Sequence, residues 1–170
     1  MRATLLFVLI SLVLALSGCG KGESASNSEP IIDPAVEEVT QRLLLLEDED
    51  ASVRVYETPG WQLEQEAETE QFQATFQHEK LKAIMTTVSN EMPLAEIKRD
   101  VKVGAGKVTI IEEKDDYLAF QSDRKESIRS DVFIEKGQAD TLVMIFMTPV
   151  ELYEGNKEHI EALRNNTERN

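Results

Sequence analysis

Residues Leu142-Val143-Met144-Ile145-Phe146-Met147 are apolar at every position, so a strand made of them has no face that can meet water. Such a strand belongs in the middle of a sheet covered on both sides. Residues 127–135, across the polar turn Lys136-Gly137-Gln138-Ala139-Asp140, supply a hairpin partner. Beyond the run, Thr148-Pro149-Val150-Glu151 has the form of a capping box with proline at the first helical position. It predicts a terminal helix carrying Leu152, Tyr153, Ile160 and Leu163. Gly155 weakens that helix by about 1 kcal/mol relative to alanine and is a point where it could split.

Upstream, period-two patterning dominates. Val53 and Val55 predict a strand that ends in Thr58-Pro59-Gly60-Trp61, a tight turn with an aromatic re-entry. Residues 63–70 alternate, which places Glu64, Glu66, Glu68 and Glu70 on one strand face that has to be solvated. Phe72, Ala74 and Phe76 alternate inward, and Gln77-His78-Glu79-Lys80 turns the chain into a second strand at 81–88. Another hairpin joins 108–113 to 117–122 about Lys114-Asp115-Asp116. Between them Asn90-Glu91-Met92-Pro93 opens a helix with Leu94, Ile97 and Val101 on one side, closing at Gly104 and Gly106. Lys98, Arg99 and Lys102 fall away from that stripe. The expected fold class is α+β, a mainly antiparallel sheet flanked by helices at the start, middle and end. No internal repeat is visible.

The first eighteen residues are a different kind of segment. Arg2 is followed by an apolar stretch at 5–16 interrupted only by Ser11, too short to span a bilayer comfortably and suited to the core of a secretory signal peptide. Leu16-Ser17-Gly18-Cys19 then resembles the bacterial lipobox: a branched apolar residue, two small residues that let the peptidase approach the backbone, and the cysteine to be lipidated. Cys19 is the sole cysteine of the 170-residue chain, which excludes a disulfide framework, a zinc-cysteine cluster or a redox pair within one chain. The lipobox implies a diacylglycerol thioether on Cys19 and an exposed amine that can also be acylated. One chain holds a protein marginally, at about 0.8 kcal/mol per buried methylene, whereas two or three give durable anchoring. A second reading of the same residues is a secreted protein cut near Gly18 that keeps a cysteine. Gly20 is not the aspartate that resembles an inner-membrane retention signal in Gram-negative bacteria. The lipoprotein resemblance implies a cell-membrane location on the extracytoplasmic side, with the membrane engaged through lipid on Cys19.

Residues 19–32 read as the lipidated cysteine and a flexible tether, small and polar without periodicity, and 33–170 as a single globular domain. The eleven residues 20–30 span about 17 to 20 Å as a coil. Asp33-Pro34 is an N-cap with proline at the first helical position, and Val36, Val39, Leu43 and Leu46 follow at helical spacing, which predicts an N-terminal helix near 34–46. The acidic run Glu47-Asp48-Glu49-Asp50 ends it.

A formal charge of −14, one unit more negative once Arg2 is removed, argues against nucleic acid as a partner. The charge is uneven. Residues 47–70 hold nine acids against Arg54 alone, whereas 79–107 hold four acids against six bases. A small basic patch of Lys98, Arg99 and Lys102 could face anionic lipid or wall polymer.

The Tyr56-Glu57-Thr58-Pro59-Gly60-Trp61 segment, the successive hairpins, the mid-chain helix, and Met147-Thr148-Pro149 leading through Tyr153 into a terminal helix resemble the PsbP/DcrB-like fold over roughly residues 50–165. That resemblance implies an α/β/α sandwich. It also implies a non-enzymatic binding or accessory component of a cell-envelope assembly, with an envelope protein as partner. No ligand motif of the family is present to be carried over.

Candidate chemistry is sparse. His78 and His159 are the two possible imidazole bases, and both are expected to be solvated, one in a turn and one beside Glu158. No Gly-x-Ser-x-Gly, phosphate-binding glycine loop or His-Glu-x-x-His occurs. Glu112-Glu113 with Asp115-Asp116 could offer hard oxygens to calcium, but EF-hand spacing is absent and Lys114 lies inside the cluster. The glutamate ladder could meet a cation or basic ligand; as an exposed strand it would resist edge pairing. The expectation is therefore no enzyme, no catalytic residue, no cofactor and no resident metal, with Cys19 as the one assigned site. Two alternatives stand beside it: a cation or cationic-ligand module on the acidic strand face, and an envelope hydrolase built on a histidine or carboxylate pair.

Overall fold

The computed structural model describes residues 42–67 and 71–169. Along them run β1 (Leu44–Asp48), β2 (Val53–Tyr56), β3 (Gln62–Glu66), β4 (Gln73–His78), β5 (Leu81–Ser89), α1 (Leu94–Ala105), β6 (Val108–Glu113), β7 (Tyr117–Ser122), β8 (Ile128–Lys136) and β9 (Asp140–Pro149). A 3-10 turn (Val150–Leu152) then leads into α2 (Tyr153–Asn165) and β10 (Thr167–Arg169). The signal segment, Cys19, the tether and residues 34–41 of the expected first helix lie outside the described residues, as do Glu68 and Glu70.

The all-apolar run forms most of β9, fourth of seven antiparallel strands in the order β3-β4-β5-β9-β8-β7-β6. Its side chains alternate between two cores. Leu142, Met144 and Phe146 join Phe76, Leu81, Met85, and Ile160 and Leu163 of α2. Val143, with Ile145 packed alongside, joins Leu118, Phe120, Val132, Ile134 and Ile97 of α1. The two helices therefore cover opposite faces of the sheet, and the fold is the α+β, α/β/α sandwich expected. Each buried side chain of the run contributes about 1.5–3 kcal/mol relative to an exposed one.

The expected hairpins β4–β5, β6–β7 and β8–β9 form with the pairing anticipated. Four expectations change. Leu44, Leu45 and Leu46 stand in strand β1 rather than at the end of a helix, because pairing with β2 carries Leu46 into the α2-side core, and tertiary burial outweighs leucine's helix propensity. Within the acidic run, Glu47 and Asp48 belong to the same strand; Glu47 pairs with Arg54, and the Asp48 carboxylate accepts the Ala51 N–H to close the turn. The capping box is not used: Thr148 is fully buried in β9, and its hydroxyl accepts a 2.7 Å hydrogen bond from the Asn156 amide instead of capping a helix. Gly155 lies within α2, which runs unbroken through it. The three-residue polar strand β10 had no periodicity to announce it; it pairs with β2 in a second sheet, β1-β2-β10.

Thr58-Pro59-Gly60-Trp61 turns as expected, with the Trp61 N–H donating to Thr58 O at 3.0 Å and Gly60 at φ +81°. A Cβ there would meet His78 Nε2 at 2.5 Å. Gly60→Ala therefore combines backbone strain with a clash and should destabilise the domain by about 2 kcal/mol. Gly155→Ala meets nothing within 4 Å and should stabilise it by about 0.5–1 kcal/mol. Urea melts of the two variants, shifting in opposite directions, check this.

Candidate functional site

Helix α2 lies on the sheet with a cleft on each flank. Its 3.6-residue period puts Tyr153, Lys157, Glu161 and Arg164 on one side and Gly155, Asn156 and His159 on the other, with Ile160 and Leu163 buried beneath. The first side faces a cavity of about 550 Å³ shared with the β6–β7 turn and β8.

At the base of that cavity is a buried carboxylate. Asp131, 2% exposed, sits in β8 two residues after Arg129 and so on the same strand face. Arg129 donates to it through two nitrogens, Nη2 to Oδ1 at 2.9 Å and Nε to Oδ2 at 3.0 Å. The Tyr117 hydroxyl also donates to Oδ1, and the Tyr153 hydroxyl approaches it at 3.4 Å. The Arg129 guanidinium lies 3.5 Å over the Tyr153 ring, and Arg164 lies 4.3 Å over Phe133. A carboxylate removed from water is costly unless its lone pairs are met, and here a two-point arginine pair and tyrosine donors meet them.

Electrostatics follow from that packing. Burial pushes the Tyr117 hydroxyl well above the ordinary tyrosine range, and its hydrogen bond to Asp131 and the Asp131 charge push the same way. Burial and Asp131 likewise raise Tyr153. Burial works against the Arg129 charge, but the hydrogen bonds and charge of Asp131 more than offset it, and the guanidinium holds its proton more firmly. Both tyrosines are therefore fixed as neutral donors at neutral pH, able to shape and orient but not to accept a proton. Lys114, Lys157, Glu112, Asp116 and Glu161 complete the lining, giving a mixed-charge rim over an aromatic wall.

On the other flank a notch of about 330 Å³ brings His78 and His159 together. Both are expected from the sequence to be solvated, but the half-buried rings stack with centroids 4.0 Å apart, and Trp61 packs on His78 at 5.7 Å. The Trp61 indole N–H donates to His159 O at 3.1 Å, which ties α2 to the Pro-Gly turn. His78 Nδ1 is buried and has no hydrogen-bond partner among the described residues. The notch is lined by the two imidazoles with Glu79, Lys80, Glu151, Leu152, Gly155 and Asn156, a mixed-charge lining with neither hydroxyl nor thiol among these residues.

The other sequence candidates fare differently. Lys98 is buried rather than turned to solvent: its ammonium donates to Lys114 O and stands 3.6 Å from Glu113. Lys102 also pairs with Glu113, and Arg99 with Glu96 and Asp100, so the basic patch is largely neutralised by its own acids. On β3, a register shift between Leu63 and Gln65 interrupts the alternation, and Glu64 pairs with Lys82 at 2.9 Å. The described half of the glutamate ladder is not a uniform acidic face. Glu112 pairs with Lys114, and among the described residues no group of three or more His, Cys, Asp or Glu is placed to hold a metal. Asp131 and its partners were not anticipated. The available signal was an Arg-x-Asp pair on one face of a strand otherwise bound for the core.

Asp131→Asn removes the charge that Arg129 answers and leaves the guanidinium partly buried alone. It should lower stability by about 3 kcal/mol, read by thermal or urea unfolding. The tyrosines carry a pH signature. Their folded pKa values lie above the unfolded value of about 10, so the stabilisation is fully present below that pH and is lost as pH rises through the folded values. Absorbance at the tyrosinate band should show Tyr117 and Tyr153 ionising late, and Tyr117→Phe should remove one late step.

No protein-family model matches this chain, and no curated protein matches it by sequence. Among solved structures, it is similar to the solution structure of cyanobacterial PsbP (CyanoP) from Synechocystis sp. PCC 6803, with a TM-score of 0.46 and 10% sequence identity over 80% of this chain and 98% of that one.

Proposed function

We propose that this chain is a lipid-anchored extracytoplasmic binding protein, cleaved before Cys19, held to the cell membrane by lipid on that residue, and presenting its α+β domain to an envelope partner. The observation that carries the reading is the apolar stretch at 5–16 leading directly into Leu16-Ser17-Gly18-Cys19, with that residue the chain's sole cysteine. The domain is acidic, and an acidic domain is repelled by an anionic membrane, so lipid supplies an attachment that charge does not. The Asp131 cluster supports binding over turnover: its carboxylate is occupied by Arg129 and two tyrosines that stay protonated, an arrangement that fixes the shape of a cleft. A partner reaching that cleft would meet the Phe133 and Tyr153 rings flanked by Lys157, Glu161 and Arg164.

Cys19→Ala tests the anchor. In bacterial cells fed a labelled fatty acid, the wild-type chain should take up label and appear as the cleaved form, whereas the variant should stay unlabelled and keep its leader. Label persisting on the variant would refute the reading.

A further inference from the structure

The two outer strands of the seven-stranded sheet differ in how they meet solvent. At one edge β3 reads Gln62-Leu63-Glu64-Gln65-Glu66, a polar and acidic edge of the kind that discourages pairing. At the other edge β6 has β7 as its one strand neighbour among the described residues, and Thr109 through Glu113 are all exposed. Ile110 and Ile111 are 43% and 46% exposed at its centre, where a bulge between Ile110 and Glu112 re-aims the side chains. An edge strand with two open isoleucines presents unpaired backbone groups and apolar surface together.

The charges on β6 select what can pair with it. Lys107 precedes the strand, Glu112 and Glu113 close it, and the isoleucines lie between. Antiparallel pairing of such a segment with itself sets the basic end of one copy against the acidic end of the other. With Ile111 left out as the bulged residue, a two-fold axis at Thr109 sets Lys107 opposite Glu112 of the second copy, Val108 opposite Ile110, and Thr109 opposite its own equivalent. The same operation on β3 brings glutamate and glutamine against one another with no base in the strand. Lys107 is 86% exposed and Glu112 44% exposed; their present partners, Asp123 and Lys114, are surface ion pairs of small worth that leave both free to engage a second chain. We infer that β6 is a self-complementary edge through which two copies of this chain join their sheets, with Lys107 and Glu112 setting the register.

The pairing involves one short strand from each copy, less surface than the roughly 1,000 Å² that a stable interface buries. The complex is therefore weak and is read in intact cells rather than in dilute solution. Two differently tagged full-length copies are co-expressed, each with a photocrosslinking amino acid in place of Ile110. Irradiation should give a band at twice the chain mass carrying both tags, and the same probe in place of Glu64 on β3 should not. Lys107→Glu should cut the band about tenfold, because two symmetric pairs turn repulsive at once. Adding Glu112→Lys to it should restore the band by reversing both signs, and a variant that merely failed to fold would not be restored. A band with one tag and a foreign protein, equal yields from the two probe positions, or no restoration in the double variant would overturn the inference. None of these readouts depends on lipid at Cys19, so failure here is distinguishable from failure of the anchor.

Discussion

Leu142, Met144 and Phe146 leave β9 on one side and Val143 and Ile145 on the other, and neither set can be given to water. That two-sided burial requires a layer above and a layer below. α1 meets one requirement by setting Ile97 against Val132, Ile134 and Val143. α2 meets the other with Ile160 and Leu163, helped by Val53 and Val55 of the small sheet. From this centre β8, β7 and β6 extend on one side and β5, β4 and β3 on the other, each consecutive pair antiparallel, with β5 and β9 the neighbours that are not adjacent in sequence.

Where α2 comes to rest decides where chemistry can occur. The helix is narrower than the sheet it covers, so a cleft is left along each flank, one over Asp131 and one over His78. The groups at the two sites come from separate stretches of sequence, joined only by the helix. On the Asp131 side the carboxylate is met by the Arg129 guanidinium and the tyrosine hydroxyls. The histidine side is held by the Trp61 indole bond and the close approach of Gly60, and it keeps a buried ring nitrogen without a partner among the described residues.

The strands and hairpins were largely legible because period-two alternation and turn chemistry are local. Pro59-Gly60 and Lys114-Asp115-Asp116 name their own turns, and residues 108–136 fold as their alternation indicates. The misread elements had local signals that conflicted with long-range contacts. Leu44-Leu45-Leu46 carries helical propensity but is captured by β2, and Thr148 looks like a cap yet spends its hydroxyl on Asn156. Lys98 looked solvent-facing because a lysine beside an apolar stripe normally is; only the β6–β7 turn, folding back over α1, supplies the carbonyl and carboxylate that let it be buried.

By itself the sequence determined the antiparallel sheet and its central strand, because side-chain alternation and turn residues act over a few positions. It also determined the acidic charge and the presence of one cysteine within a lipobox-like segment, since these are properties of composition and order alone. Only the tertiary structure decided that His78 stacks on His159 and that Arg129, Asp131, Tyr117 and Tyr153 share one buried charge. It alone also decided that β6, rather than β3, is the open apolar edge. The reason is common to all three: they depend on how α2 and the outer strands dock, and docking is set by the sum of burial over distant residues, which leaves no local mark on the chain.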